Sequence, residues 1–321
     1  MKKSLLMMFV MATMLPVGAQ QKRLSHLIVE HGSTTYDRAV YYDGSGRVTQ
    51  ITTTDQNGAL VYDTQVIYNG NQVRMEQTHY YNGTAAHNPD VVTYTLTDNR
   101  ITHTLEIGDG EDFDEYTEDY YYTDGRISKI ETTDVYQGTA YSVTYDITWT
   151  DGNLSEITTY RSSGELNTHT TLHSTSLTAD PFSSCLFGLD RDDESAIVFY
   201  KNFGTQPRNL PSDHETVFYN EGSYSLVCTY SYEINSDGYV TKAILDNTDE
   251  GKHVYTLVWE DNPAAVTAIQ ADGPDTTTVY DLSGRRQASV RPGLNIVRAA
   301  DGTTRKVISS CWSASARSMP R

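Results

Sequence analysis

The chain has 321 residues with 24 Lys+Arg against 42 Asp+Glu, a formal net charge of −18 at pH 7. Phosphate backbones and anionic membrane surfaces repel such a chain, so no nucleic-acid partner is expected. Three cysteines, Cys185, Cys228 and Cys311, form no disulfide framework and show no C-x-x-C spacing; at most one bridge is available, Cys185 to Cys228, in an oxidising compartment.

In chain order, Lys2 and Lys3 precede an apolar run from Leu5 to Leu15, and Val17-Gly18-Ala19 offers small residues for cleavage before Gln20. Residues 1–19 therefore read as a secretory signal peptide. Without Lys2 and Lys3 the exported chain carries 22 basic against 42 acidic residues, about −20. No later apolar stretch reaches the ~18 residues of a transmembrane helix, so the expected destination is the cell surface or the medium, with the outer membrane as the other possibility.

Residues 20–261 read as one antiparallel β domain built from a recurring hairpin. Tyr41-Tyr42-Asp43-Gly44-Ser45-Gly46-Arg47-Val48 and Tyr121-Tyr122-Thr123-Asp124-Gly125-Arg126-Ile127 share one pattern: aromatic, turn, Gly-Arg, apolar. Aligned on the residue after the turn, Arg47, Gln72, Arg100, Arg126, Asn153 and Tyr239 are spaced by 25, 28, 26, 27 and 86 residues. Period-two alternation fills the intervals, as in Tyr141, Val143, Tyr145, Ile147 and Trp149 against Ser142, Thr144, Asp146, Thr148 and Thr150. Turn pairs such as Asn57-Gly58, Asn69-Gly70, Asn82-Gly83, Asp151-Gly152 and Asp237-Gly238 punctuate them. No segment of this domain shows a capped helical period, which excludes an α/β fold. About 14–16 strands result, too many to stay in one flat open sheet.

After each turn the apolar residues stand three apart, at Val48 and Ile51, Ile127 and Ile130, Leu154 and Ile157. Either a bulge re-phases each strand or both faces are partly covered; a Gly in a hairpin loop commonly brings the bulge. Glu76 and Thr104 break the rule, which places the second and third repeats at less buried positions.

The stretch 179–213 lacks alternation except at Ala196 to Tyr200 and reads as a long loop. Its Phe182, Leu186, Phe187, Phe199, Tyr200 and Phe203 argue against disorder, leaving a plug over one end of a curled sheet or a ligand-binding insertion. Residues 262–277, rich in Ala, Gly and Pro, read as a linker, 278–308 as a small β segment and 309–321 as a tail.

The Tyr-x-Asp-x-x-Gly-Arg repeat resembles the tyrosine-aspartate repeats of Rhs-type and teneurin-type β shells. Over the whole domain, with Asp180-Pro181-Phe182 and Asn209-Leu210-Pro211 in the late insertion, the chain is more similar to a family of secreted bacterial proteins of unknown function with a porin-like fold. That resemblance implies a curled antiparallel sheet, porin-like or half-barrel, and carries no activity with it. Thr278-Val279-Tyr280-Asp281-Leu282-Ser283-Gly284-Arg285-Arg286, Gly293-Leu294-Asn295-Ile296-Val297 and Lys306-Val307-Ile308 resemble the sorting domain of the type IX (Por) secretion system, which implies export to the surface or medium. The segment is shorter than a full sorting domain, and the tail runs past its usual end.

Two groups stand out as sites. The loop Asp109-Gly110-Glu111-Asp112-Phe113-Asp114-Glu115 gathers carboxylates that suit Ca²⁺, with Asp109, Asp112 and Asp114 as candidate ligands, although the EF-hand order is missing and a solvated acidic turn is the simpler reading. Tyr120, Tyr121 and Tyr122 form the densest aromatic group among 24 tyrosines and are the candidate ligand-binding residues, since tyrosines stack on sugar rings. His169 and His173 stand four apart on a strand, about 13 Å from each other, too far to share a metal. No catalytic motif or cofactor loop occurs. Three functional classes follow: a non-catalytic surface or secreted binding or structural module, with glycans or surface components as partners; an outer-membrane β-barrel; or a glycan-processing hydrolase whose carboxylates no motif singles out.

Overall fold

The computed structural model describes residues 22–86, 88–108, 114–178, 180–188, 193–219, 223–249 and 251–262, with short stretches at 278–280, 286–287, 293–298 and 304–309. Residues 1–19, the expected leader, and the residues after Ser309 lie outside the described residues, as does nearly all of the expected linker 262–277. The chain divides into two units, Met1–Glu260 and Asp261–Arg321.

The first unit is an antiparallel meander. Strands β1 (Lys22–His31), β2 (Thr34–Tyr42), β3 (Val48–Asp55), β4 (Leu60–Asn69) and β5 (Gln72–Tyr81) lead through the two-residue stub β6 (Thr84–Ala85) to β7 (Asp90–Thr97), β8 (Arg100–Ile107) and β9 (Glu115–Thr123). There follow β10 (Arg126–Tyr136), β11 (Thr139–Thr150), β12 (Asn153–Arg161) and β13 (Leu166–Ser174), then β14 (Pro211–Phe218), β15 (Tyr224–Ile234), β16 (Val240–Asn247) and β17 (Gly251–Asp261). Each long strand pairs with the next, β5 with β7 across the stub, and β17 returns to pair with β1. The 17 strands of this sheet less the stub make a closed barrel of 16, so the sheet does close. Closure satisfies every strand edge.

The three-residue spacing of apolar residues is the work of a bulge. Tyr42 faces Val48 while Tyr41 faces Gln50, so Thr49 is skipped. Thr102, Ser128, Ser155 and Thr241 are skipped in the same way. Each skipped residue is Ser or Thr, and each hydroxyl donates to a carbonyl of the preceding strand at 3.1–3.4 Å. The bulge brings residues three apart onto one face, so that Val48 with Ile51 and Ile127 with Ile130 are all buried. Thr104 obeys the same geometry and is only 3% exposed, which corrects its expected exposure. The β4–β5 pair alone among these runs without a register shift; there Met75 is buried and Glu76 lies on the other face.

β1 carries the same motif as Arg23-Leu24-Ser25, with Ser25 Oγ donating to Val258 O at 3.1 Å. It is therefore a post-turn strand whose partner, β17, comes from the other end of the domain. An aromatic residue before the turns completes the unit: Tyr42, Tyr122, Trp149 and Trp259 each donate at 2.7 Å to the carbonyl of Leu24, Ile101, Ile127 and Val240 respectively. The post-turn arginines stack on aromatic rings of the next hairpin, Arg47 on Tyr68, Arg100 on Tyr122 and Arg126 on Trp149.

The expected loop 179–213 contains two helices, α1 (Pro181–Gly188) and α2 (Asp193–Phe199). Asp180 caps α1, accepting from Ser183 N at 2.9 Å and Ser183 Oγ at 2.7 Å, and Pro181 opens it. No amphipathic stripe betrays α1, because Phe182 to Gly188 are all buried. The insertion plugs one end of the barrel. Phe182 meets Trp259, Phe187 meets Tyr232 and Tyr255, and Phe199 meets Tyr94. Its descending strap is sewn to the tight turns: Thr205 N donates to Gly125 O, Arg208 N to Gly152 O, and Ile101 N to Asn202 O.

The core thus lies inside the barrel, and the opposite strand faces look outward. There stand Asp63, Asp119, Lys129, Glu131, Asp146 and Glu156 near mid-strand, with Thr and Ser between them. Cross-strand pairs tie this wall together, among them His26–Asp37 at 2.9 Å and His103–Asp119 at 2.8 Å.

In the second unit β18 (Thr278–Tyr280), β19 (Arg286–Gln287), β20 (Gly293–Arg298) and β21 (Thr304–Ser309) form a four-stranded antiparallel sheet in the order β19-β18-β20-β21. A small β segment was expected at this place.

Candidate lumenal site

The plug does not fill the barrel. Between α2 and the inner faces of β4, β5, β7, β8 and β9 lies a cavity of about 460 Å³. Strand alternation decides which residues reach it: Asp90, Val92 and Tyr94 from β7, Thr104 and Glu106 from β8, and Tyr116, Glu118 and Tyr120 from β9. Thr64, Met75 and Gln77 complete the wall, and Glu194 with Ser195 of α2 forms the side against the plug. Four carboxylates and three tyrosines share this space, and no lysine, arginine or histidine is among the described residues that line it.

The tyrosines are held on both sides. Tyr116 donates to Glu118 Oε1 at 3.1 Å and Tyr120 donates to Glu118 Oε2, so one carboxylate fixes both phenols. From behind, the Tyr94 ring lies 4.2 Å from Phe199 and the Tyr120 ring 6.0 Å from Phe203, both plug residues. Gln77 Nε2 donates to Thr64 Oγ1 at 3.1 Å. The plug side is anchored by Arg38 of β2, whose Nε lies 3.0 Å from Glu194 Oε1 and whose Nη2 lies 3.0 Å from Asp193 Oδ2. Burial works against that guanidinium's charge, yet the two carboxylates outweigh it and hold its pKa above the ordinary value.

The sequence-predicted site residues scatter across this frame. Tyr120 is buried and lines the cavity. Tyr122 faces the same way but bonds Ile101 O beneath the strap, and Tyr121 faces out, donating to Glu131 at 2.7 Å. Strand alternation divides the three between two faces. Of the acidic loop, Asp109 and Asp112 lie outside the described residues; Asp114 Oδ2 accepts from Gly138 N at 3.0 Å and so braces the β10–β11 turn. Among the described residues no three His, Cys, Asp or Glu side chains are grouped to hold a metal. His169 and His173 bond separately, to Thr158 and Asp213. Cys185 and Cys228 are both buried and not joined by a disulfide, so the candidate bridge is not formed. The cavity itself had a signal in the sequence that went unread: acidic residues at the apolar-phase positions Asp90, Glu106 and Glu118, where alternation demands an inward residue.

A closed antiparallel barrel with a plugged lumen is a porin-like architecture. The chain matches over residues 40–242 a domain of unknown function (DUF4595) with porin-like fold, and it belongs to that family. It is similar in structure to a porin-like protein from Bacteroides vulgatus ATCC 8482, with a TM-score of 0.54 and 14% identity over 76% of this chain and 100% of that one. A porin-like protein from Bacteroides uniformis ATCC 8492 is similar too, with a TM-score of 0.52 and 16% identity over 74% and 98% of the two chains. At these identities the likeness concerns the fold. No curated protein matches the sequence.

Proposed function

We propose that this protein is an exported, non-catalytic binding module whose barrel stands in water and takes its ligand into the lumen. One observation carries this reading: the barrel's polarity is that of a soluble protein, with the core and a 460 Å³ cavity inside and charge outside. A membrane-spanning barrel needs a continuous outward apolar band about 25 Å tall. Here Asp63, Asp119, Glu131, Asp146 and Glu156 stand where that band would run. The cavity size falls within the ~300–1,000 Å³ range of small-ligand sites. The leader-like residues 1–19 and the sorting-domain-like segment 278–308 support export.

The test is to prepare the exported chain without detergent. A monodisperse protein that stays with the aqueous phase in liposome flotation, and whose mobility on gels shows no heat-dependent shift in detergent, is the expected result. Insolubility without detergent would put the outer-membrane barrel first. A glycan and small-molecule panel, repeated with Val92→Trp to fill the cavity, then reads the lumenal part of the proposal.

A further inference from the structure

Resting on the lumenal reading above, we propose that the cavity selects a ligand carrying a protonated amine, held by the carboxylates and stacked against the tyrosines. Three observations converge. The wall presents Asp90, Glu106, Glu118 and Glu194 to one cavity of about 460 Å³, with Asp90 at its exposed mouth and Glu194 also paired with Arg38. A cleft of one charge sign with low-dielectric walls concentrates counter-charged ligands. Tyr94, Tyr116 and Tyr120 supply ring surface in the same space, and an ammonium is attracted to such faces as well as to carboxylates. Beside the cavity, Asp134 pairs in register with Tyr116, and its Oδ1 is buried with no hydrogen-bond partner among the described residues. That carboxylate does not itself line the cavity, but it adds to the negative field behind Tyr116.

The wall is also preorganised. Glu118 is fixed by two phenol donors, and the tyrosine rings are backed by Phe199 and Phe203. Little side-chain order remains to be lost on binding.

The experiment titrates the full exported chain by calorimetry with three probes: the glucosamine trimer, spermidine and the N-acetylated trimer. The two amines are expected to bind, and the acetylated trimer, with the same rings and no charge, about tenfold or more weakly. Asp90→Asn and Glu118→Gln each weaken the amines about tenfold, Val92→Trp abolishes their binding, and Glu131→Gln on the outer wall leaves it unchanged. Melting curves establish that each variant is folded, and Asp90→Asn, at an exposed strand end, keeps the test available if Glu118→Gln is not. Equal binding of the acetylated trimer overturns charge selection and leaves the lumenal reading standing. Amine binding that survives Val92→Trp assigns it to the acidic outer wall and overturns the site. No binding of either amine overturns the inference outright.

Discussion

Arg38 on the inner face of β2 and Glu194 at the start of α2 meet at 3.0 Å, and this contact joins the barrel wall, the plug and the lumenal cavity. Asp193 shares the same guanidinium at 3.0 Å. Removing the arginine strands two carboxylates in a place that is about five-sixths shielded from solvent, since the three side chains are 14–16% exposed. Arg38→Met is therefore expected to cost roughly 3–5 kcal/mol. The triple variant Arg38→Met, Asp193→Asn, Glu194→Gln should recover most of that loss. Urea unfolding of the set checks both halves.

The strap depends on one glycine. Gly204 has φ +77°, and a Cβ there would overlap Gly125 O, a backbone atom already fixed by the Thr205 N bond at 2.7 Å. Gly204→Ala combines left-handed strain with a clash that no side chain can relieve, and a loss of about 2 kcal/mol or more is expected. Gly164, also at positive φ, has open space around its Cβ position, so Gly164→Ala should cost only about 1 kcal/mol. Thermal melts of the two variants separate clash from strain.

The bulge hydroxyls make a third set. Thr102→Val, Ser128→Ala, Ser155→Ala and Thr241→Val each remove one hydroxyl-to-carbonyl bond and should each cost about 0.5–1.5 kcal/mol. The sites lie on different hairpins, so their effects should add. Singles that cost nothing would show that the bulges are held by the backbone alone, and a pair whose combined loss falls well short of the sum would show that the hairpins are coupled. Chemical denaturation of singles and pairs gives the answer.

These same residues show what was legible in the sequence. The turns and the bulge could be read because Gly at positive φ and apolar residues three apart are local signals, and Gly46, Gly58 and Gly238 adopt that conformation. The Ser/Thr at the skipped position was equally visible and would have matched Arg23-Leu24-Ser25 to the repeat, and with it the closure of β17 on β1. The turn before Arg100 was placed by the repeat spacing and not by its residues, because Asp98 and Asn99 both take positive φ without a glycine, a conformation Asn and Asp tolerate. Helix α1 was missed because burial on all sides erases the period from which a helix is read, and α2 because its seven residues span only two turns. The cavity was missed for a related reason: a cluster of tyrosines adjacent in sequence alternates faces, so Tyr120 had to be sought with Tyr94 and Tyr116 from register, not from proximity.

Acid should loosen the hairpin turns. Hydrogen bonds from Arg47 N and from Ala59 N hold the Asp43 and Asp55 carboxyls below the usual range, against the opposing effect of desolvation. A carboxylate whose folded pKa lies below its unfolded value stabilises the fold fully above the unfolded value, near pH 4, and less as pH falls through the folded one. Asn235 makes the same two backbone contacts, to Asp237 N and Tyr239 N, without a charge. The double variant Asp43→Asn, Asp55→Asn should thus keep the turns and flatten the acid limb of the stability curve below about pH 4. An unchanged acid limb would assign acid sensitivity to other carboxylates.

Asp180 has the opposite sign. Burial raises its pKa, and the bonds from Ser183 and from Val240 N at 3.3 Å only partly offset the rise. A carboxyl whose folded pKa lies above the unfolded one makes the fold bind more protons than the unfolded chain, so its contribution declines as pH rises from the unfolded value through the folded one. The residue is kept for its geometry: one side chain caps α1 and accepts from the first residue of β16, pinning plug to wall. Asp180→Ala removes both contacts and should cost about 2 kcal/mol or more. Asp180→Asn keeps an acceptor for the cap and no longer places a charge in a buried site, so it should cost less than Ala at every pH. Its stability should also lose the decline above pH 4, and a decline that persists in Asp180→Asn would rule this residue out as its source.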